Sequence, residues 1–242
     1  MSESTSTNLD VFMSIIKGVS EKTDNPIPSH LEILIGDSNL QKPDDLEEAI
    51  KSAGQLLEDS QCACLFANIV NLCIKDGRVS ERGFVWESRD NLRLERSDAN
   101  DLEEAIEARF QTDREFREND EWAAFCAGLI AMSEADNHTT TMEDAYLEYI
   151  IEDHSHIEAG RTLLKDGGQI AEELGKFNSR QKKCLAAHAI SIMLIDGDWK
   201  ASEQKALDNL SSQMDLADID AEKLLKGIYT LYNLTIFTQD IG

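Results

Sequence analysis

Asp76, Asp136 and Asp196 stand 60 residues apart along the chain, each where an apolar run gives way to a polar turn. Carboxylates so placed could hold a hard divalent cation, which needs several oxygens converging on one point. The candidate ligands are Asp76, Asp136, Asp196, Asp198 and Glu203, with Glu134 and Glu143 as companions of Asp136. Asp-Gly followed by an apolar residue and a later Glu also resembles the second half of an EF-hand loop. That register would make Leu72, Ile74, Ile192 and Leu194 the leading ligands, and none of these side chains coordinates calcium, so an EF-hand is excluded. The plainer role for the three Asp residues is helix capping and turn hydrogen bonding.

Other groups offer less. Asp153-His154-Ser155-His156 has zinc-ligand types, but alternate residues on a helix point apart, and a solvated helix end is the simpler reading. Cys62-x-Cys64 has the same geometry and no partner Cys-x-x-Cys pair. His188 sits in an apolar run, as expected of a hydrogen-bonded, partly buried imidazole. Trp86, Trp122 and Trp199 are expected to anchor the core. No Gly-x-Ser-x-Gly, His-Glu-x-x-His or phosphate loop occurs, and Gly36-Asp37 and Gly167-Gly168 are too short to cradle phosphate.

The elements that must position these residues are helical. Only 3 Pro and 13 Gly interrupt 242 residues, and β-branched residues rarely cluster. Counted back from each Asp, offsets −11, −10, −7 and −6 are apolar every time: Leu65, Phe66, Ile69, Val70; Phe125, Cys126, Leu129, Ile130; Leu185, Ala186, Ala189, Ile190. This is the spacing of one buried helical face. A second apolar segment follows each turn (Phe84, Val85, Trp86, Leu92; Tyr146, Leu147, Ile150, Ile151; Leu207, Leu210, Met214), and a third closes each unit. Recurrence at a fixed period marks a tandem array. The expected architecture is all-α, built from tandem helix–turn–helix units behind a helical N-terminal segment. Its divisions are a disordered tail over 1–8, a helical segment over 9–59, and units over 60–118, 119–177 (degenerate) and 178–242. Ser60 is the expected N-cap of the first unit, with the next two helices starting near Asn119 and at Asn178 or Ser179. Leu31 to Ile35 is the one segment that reads as a short strand.

The net charge is −24, and it is unevenly spread: residues 119–177 carry 13 acids against 3 bases, whereas residues 178–234 carry 8 against 7. Such a field repels phosphate backbones and anionic membrane surfaces, and attracts cations and basic partner proteins. No apolar run reaches the roughly 20 residues of a membrane span. Five Cys residues, an odd number without scaffold spacing, fit buried thiols in a reducing, cytoplasmic setting. The one candidate cofactor is a divalent cation at the acidic turns.

The turns themselves are Asp76-Gly77-Arg78-Val79, Asp136-Asn137-His138-Thr139 and Asp196-Gly197-Asp198-Trp199, with Glu143 and Glu203 seven residues after their Asp. Gly77 and Gly197 are read as the left-handed residues that end a helix, Asn137 as the next best choice, and Val79 and Trp199 as tucking into the core. This constellation resembles the tellurite-resistance TerB-like family: an apolar helix ending in Asp-Gly, an apolar residue and a downstream Glu. The third unit carries it best, from Cys184 to Leu216. The first matches through Val79 but has Gly83 in place of the Glu, and the middle unit lacks both the Gly and the apolar residue. The resemblance implies an all-helical cytoplasmic protein of a stress response (tellurite or metal type), working through protein contacts, with divalent cations as candidate ligands. It does not imply direct binding of tellurite, an anion that the acidic field would oppose. The expectation is therefore a non-enzymatic interaction protein. The alternatives are a divalent-cation sensor that uses the acidic turns, and an accessory subunit of an enzyme.

Overall fold

Thr7 opens the first helix: its hydroxyl accepts from the Asp10 N–H, and the Asp10 carboxylate accepts from the Thr7 N–H, a reciprocal capping box. The structure, a computed structural model, describes residues 7–31, 41–135, 140–151, 153–165, 169–195 and 200–237. Thr7 and Asn8, placed in the expected tail, are thus ordered by the Thr-x-x-Asp spacing. Helix α1 spans Asn8–Thr23, α2 Leu46–Leu56 and α3 Asp59–Leu72. After a short hairpin of β1 (Ile74–Lys75) and β2 (Arg78–Val79) come α4 (Arg82–Asn91), α5 (Arg96–Ala108) and α6 (Thr112–Glu115). Then follow α7 (Asn119–Ser133), α8 (Thr141–Ile150), α9 (His154–Lys165), α10 (Gln169–Gly175), α11 (Ser179–Leu194), α12 (Ala201–Met214) and α13 (Asp218–Tyr232). A 3₁₀ turn, Leu234–Phe237, closes the described chain. The fold is all-α. The expected strand at Leu31 begins helical, and the rest of that segment lies outside the described residues.

Two compact units form. The first is discontinuous, residues 1–107 with 230–242; the second is residues 108–229. In the first, α3 is the axis, touched by α1, α4 and the 3₁₀ turn. Phe12, Ile15, Ile16 and Val19 of α1 bury against Leu65, Phe66, Ile69 and Val70, and Leu231 and Phe237 complete this core from the far end of the chain. The Phe12 and Phe237 rings lie 4.6 Å apart, within the range of favourable aromatic contact. In the second unit, α7 is the axis, touched by α8, α9, α10, α11 and α12. Gly160 explains the close seating of α9: a Cβ there would lie 2.7 Å from that of Cys126 and 2.9 Å from the Ala127 nitrogen. Phe116, Trp122, Phe125 and Phe177 form an aromatic cluster at one end.

Helices α3, α7 and α11 begin at Asp59, Asn119 and Ser179, so the 60-residue interval also separates their first residues. Their N-caps are Glu58, Glu118 and Asn178. In each, the third helical residue folds back onto the N-cap N–H: Gln61 at 3.2 Å, Glu121 at 3.1 Å and Gln181 at 2.9 Å. The cap is therefore not Ser60, which lies inside the first turn: the helix opens after Glu58, whose main-chain N–H donates to the Gln61 side chain. The twelve apolar offset residues are all buried.

The first acidic turn differs from its expected form. Cys73, not Gly77, ends α3, in a right-handed conformation. Asp76 and Gly77 both have positive φ, 50° and 70°, and form the two-residue loop of a hairpin in which Ile74 pairs Val79 and Lys75 pairs Arg78. Positive φ at both central residues is the signature of a type I′ turn, whose twist matches paired strands. Val79 is buried as expected. Trp86 is not: it is 53% exposed on the outer side of α4, while its neighbour Val85 takes the inner position.

Candidate functional site

Helix α11 buries Gln181, Cys184 and His188 at relative positions i, i+3 and i+7 of one helical face, while its buried Ser191 bonds back to the Ala187 carbonyl of the same helix. The first three hold the chain that runs past them. The Gln181 side-chain amide donates to the Glu115 carbonyl (2.8 Å) and to Oε1 of Glu121 (3.0 Å). Cys184 Sγ lies 3.7 Å from the Thr112 hydroxyl. His188 Nε2 lies 3.0 Å from that same hydroxyl and Nδ1 lies 2.9 Å from the Tyr146 hydroxyl. The Arg109 main chain gives the ring a further hydrogen bond, and Phe125 meets it edge to face. The imidazole thus ties α6, α8 and α11 together.

The electrostatics follow from burial. His188 is 1% exposed, not partly buried as expected from sequence. Loss of water holds its pKa down at about 3, with the Arg109 charge acting in the same direction. The ring is therefore neutral at ordinary pH, one nitrogen donating and the other accepting, and the two hydroxyls satisfy either tautomer. Burial pushes the Cys184 thiol up to about 12, so it stays protonated and is no nucleophile. Cys64, Cys73 and Cys126 are likewise pushed up to about 12 by burial, and all five cysteines are free and buried.

Helix α3 repeats this arrangement in the other unit, with Gln61, Cys64 and Asn68 at the corresponding places. The Gln61 amide donates to the Ile236 carbonyl (3.0 Å), Cys64 Sγ lies 3.8 Å from the Asn233 carbonyl, and Asn68 Nδ2 donates to the Leu231 carbonyl (3.1 Å). Asn68 Oδ1 pairs with Nε2 of His30 at 3.0 Å. In α7 the same places hold Glu121, Ala124 and Gly128. Small residues there allow a close approach: a Cβ at Gly128 would lie 3.0 Å from Leu185. Burial works to raise the Glu121 pKa. Bonds from the Arg117 N–H, the Gln181 amide and the Glu118 N–H outweigh it and bring the carboxyl below its ordinary value.

Of the residues expected to hold a metal, Asp76 is exposed in the hairpin loop. Glu203 is buried at the start of α12, where Oε2 accepts from the Lys200 N–H at 2.7 Å. Glu143 does the same for the Thr140 N–H at the start of α8. Asp136, Asp196 and Asp198 lie outside the described residues, as does Trp199. Among the described residues, no three His, Cys, Asp or Glu side chains converge to hold a metal. Cys62 and Cys64 turn to different carbonyls, Leu57 and Asn233. In the Asp153 to His156 tract, Asp153 caps α9 by accepting from the Ser155 N–H, and His156 stacks on Trp122 with the rings 3° from parallel. Sequence reasoning named His188 and missed Thr112, Tyr146 and Asn68. The signal for Asn68 was its matching place, 120 residues before His188.

Comparison with protein-family models, with characterised proteins and with solved structures returns no match. Among the described residues, no helix is long and apolar enough to cross a membrane.

Proposed function

We propose that this chain is a non-enzymatic interaction module of the TerB-like kind, serving a cytoplasmic stress response of the tellurite or metal type through its contacts with other proteins. In this reading a helix–turn–helix unit is present three times. The matching caps at Glu58, Glu118 and Asn178 support that, as does the matching burial of the twelve apolar positions.

One observation carries the functional reading: Gln61 and Asn68 of α3 and Gln181 and His188 of α11, all buried, are spent on main-chain carbonyls and neighbouring hydroxyls. Groups so engaged position helices. What the chain presents outward is acid, and an acidic surface recruits basic protein surfaces by long-range attraction. Affinity purification of the tagged full chain from its own host, at low and at high salt, tests this reading. A reproducible protein partner that is released as salt rises is expected. Recovery of the chain alone at every salt concentration would contradict it.

A further inference from the structure

Helix α8 carries an uncovered apolar stripe. Met142 is 47% exposed and Tyr149 80% exposed, and Ala145 between them is exposed as well. These are positions i, i+3 and i+7, so they lie along one side of the helix. The adjoining side is occupied: Tyr146, between Met142 and Tyr149 in sequence, bonds His188, and Glu143 is buried in the capping box with Thr140. The stripe is therefore fixed in place by its own helix. Methionine and tyrosine are also the residue types that adapt to, and anchor, partner surfaces.

Helical geometry places Glu148 and Asp144 on the solvent side of the stripe. Both are exposed, and among the described residues no cation pairs with either. They belong to the most acidic stretch of the chain, residues 119–177 with 13 acids and 3 bases. An apolar stripe edged by exposed carboxylates complements a helix with an apolar face bordered by Lys or Arg.

We propose that the Met142–Ala145–Tyr149 face of α8 is the docking surface for a basic amphipathic helix of a partner protein. The proposal rests on the interaction-module reading and names the surface and chemistry of that interaction. A second copy of this chain is a poor occupant, because it would set Glu148 and Asp144 against like charges on a molecule of net charge −24. An anionic membrane meets the same repulsion.

The test uses the full chain and a synthetic 18-residue helical peptide of Leu and Lys in amphipathic order, followed by fluorescence anisotropy. A Gly–Lys peptide of equal charge serves as the comparison. The Leu–Lys peptide binds, and the double substitution Met142→Ala with Tyr149→Ala weakens it by about tenfold or more, as expected for anchor residues. Asp144→Lys with Glu148→Lys weakens it similarly, and Trp86→Ala, in the other unit, leaves it unchanged. All of these positions are exposed, and circular dichroism confirms that each variant is folded. Equal binding of both peptides, or unchanged binding by the Met142/Tyr149 variant, overturns the proposal, and so does sedimentation showing a dimer broken by that variant. If the host partner is still captured by the Met142/Tyr149 variant, this surface is wrong while the interaction reading stands. If the wild type captures no partner, it is that reading that fails.

Discussion

The Tyr146 hydroxyl lies 2.9 Å from Nδ1 of His188, joining the middle of α8 to the middle of α11 inside the second unit. The ring's other nitrogen is occupied as well, by the Thr112 hydroxyl at 3.0 Å. Removing the Tyr146 oxygen leaves Nδ1 buried without it. Tyr146→Phe is therefore expected to lower stability by about 1–3 kcal/mol, the cost of stranding a buried polar group. The urea midpoint at neutral pH measures this, and an unchanged midpoint would mean that the bond contributes nothing.

Acid should destabilise the protein through the same residue. The folded-state pKa of His188 is held at about 3, below its ordinary 6.5, so the unfolded chain binds more protons anywhere between those values. The stabilising contribution is fully present above pH 6.5 and is lost as pH falls toward 3, at up to about 1.4 kcal/mol per pH unit. His188→Asn removes this dependence. Urea unfolding from pH 7.5 to 5 should then show a slope in the wild type and a flatter line in the variant, and parallel lines would refute the assignment. Below about pH 4.5, carboxyls such as Glu121, whose pKa also lies below its ordinary value, add to the loss.

The first unit depends on residues that arrive from the end of the chain. Phe237 is buried against Phe12, and the Ile236, Asn233 and Leu231 carbonyls meet Gln61, Cys64 and Asn68. Phe237→Ala is expected to cost about 3–5 kcal/mol, the range for emptying a buried aromatic site. Hydrogen exchange should localise the effect to α1 and α3 as well as to the mutated end. Protection lost only beyond residue 230 would contradict the packing described.

Two glycines give opposite expectations. A Cβ at Gly54 would lie 2.1 Å from the Asn91 carbonyl oxygen, a main-chain atom at the end of α4 that cannot step aside. Gly54→Ala should therefore destabilise by about 1–3 kcal/mol or more. Gly83, in the first turn of α4, has nothing within 4 Å of such a Cβ, and Gly83→Ala should stabilise by about 0.5–1 kcal/mol through helix propensity and lost freedom of the unfolded chain. Thermal unfolding of the two variants decides both.

Much of this arrangement is legible from residue order. The apolar offsets around Leu65, Phe125 and Leu185 locate the three axial faces because helical periodicity is a local property. Asn178 declares its cap by the spacing to Gln181. The turn at Asp76 is harder, since Asp-Gly serves both as a helix stop and as a hairpin loop. Here the pairing of Ile74 with Val79, together with a Val79 N–H bond to Glu107 of α5, decides for the hairpin. Trp86 was misplaced because size alone does not fix which side of α4 faces inward; Val85 fills the buried position. The partners of His188 could not be read at all. Thr112 and Tyr146 lie 76 and 42 residues away, and only packing brings them to the ring.

The central claim is that His188 and Asn68 position helices and that recognition happens at the surface. Its most direct test is partner capture by His188→Asn, which puts at α11 the residue that α3 already carries at the matching place. At a temperature where the variant is folded by circular dichroism, it is expected to capture the same partner, in the same amount, as the wild type. A folded variant that captures none would contradict the account and assign the buried imidazole a functional role.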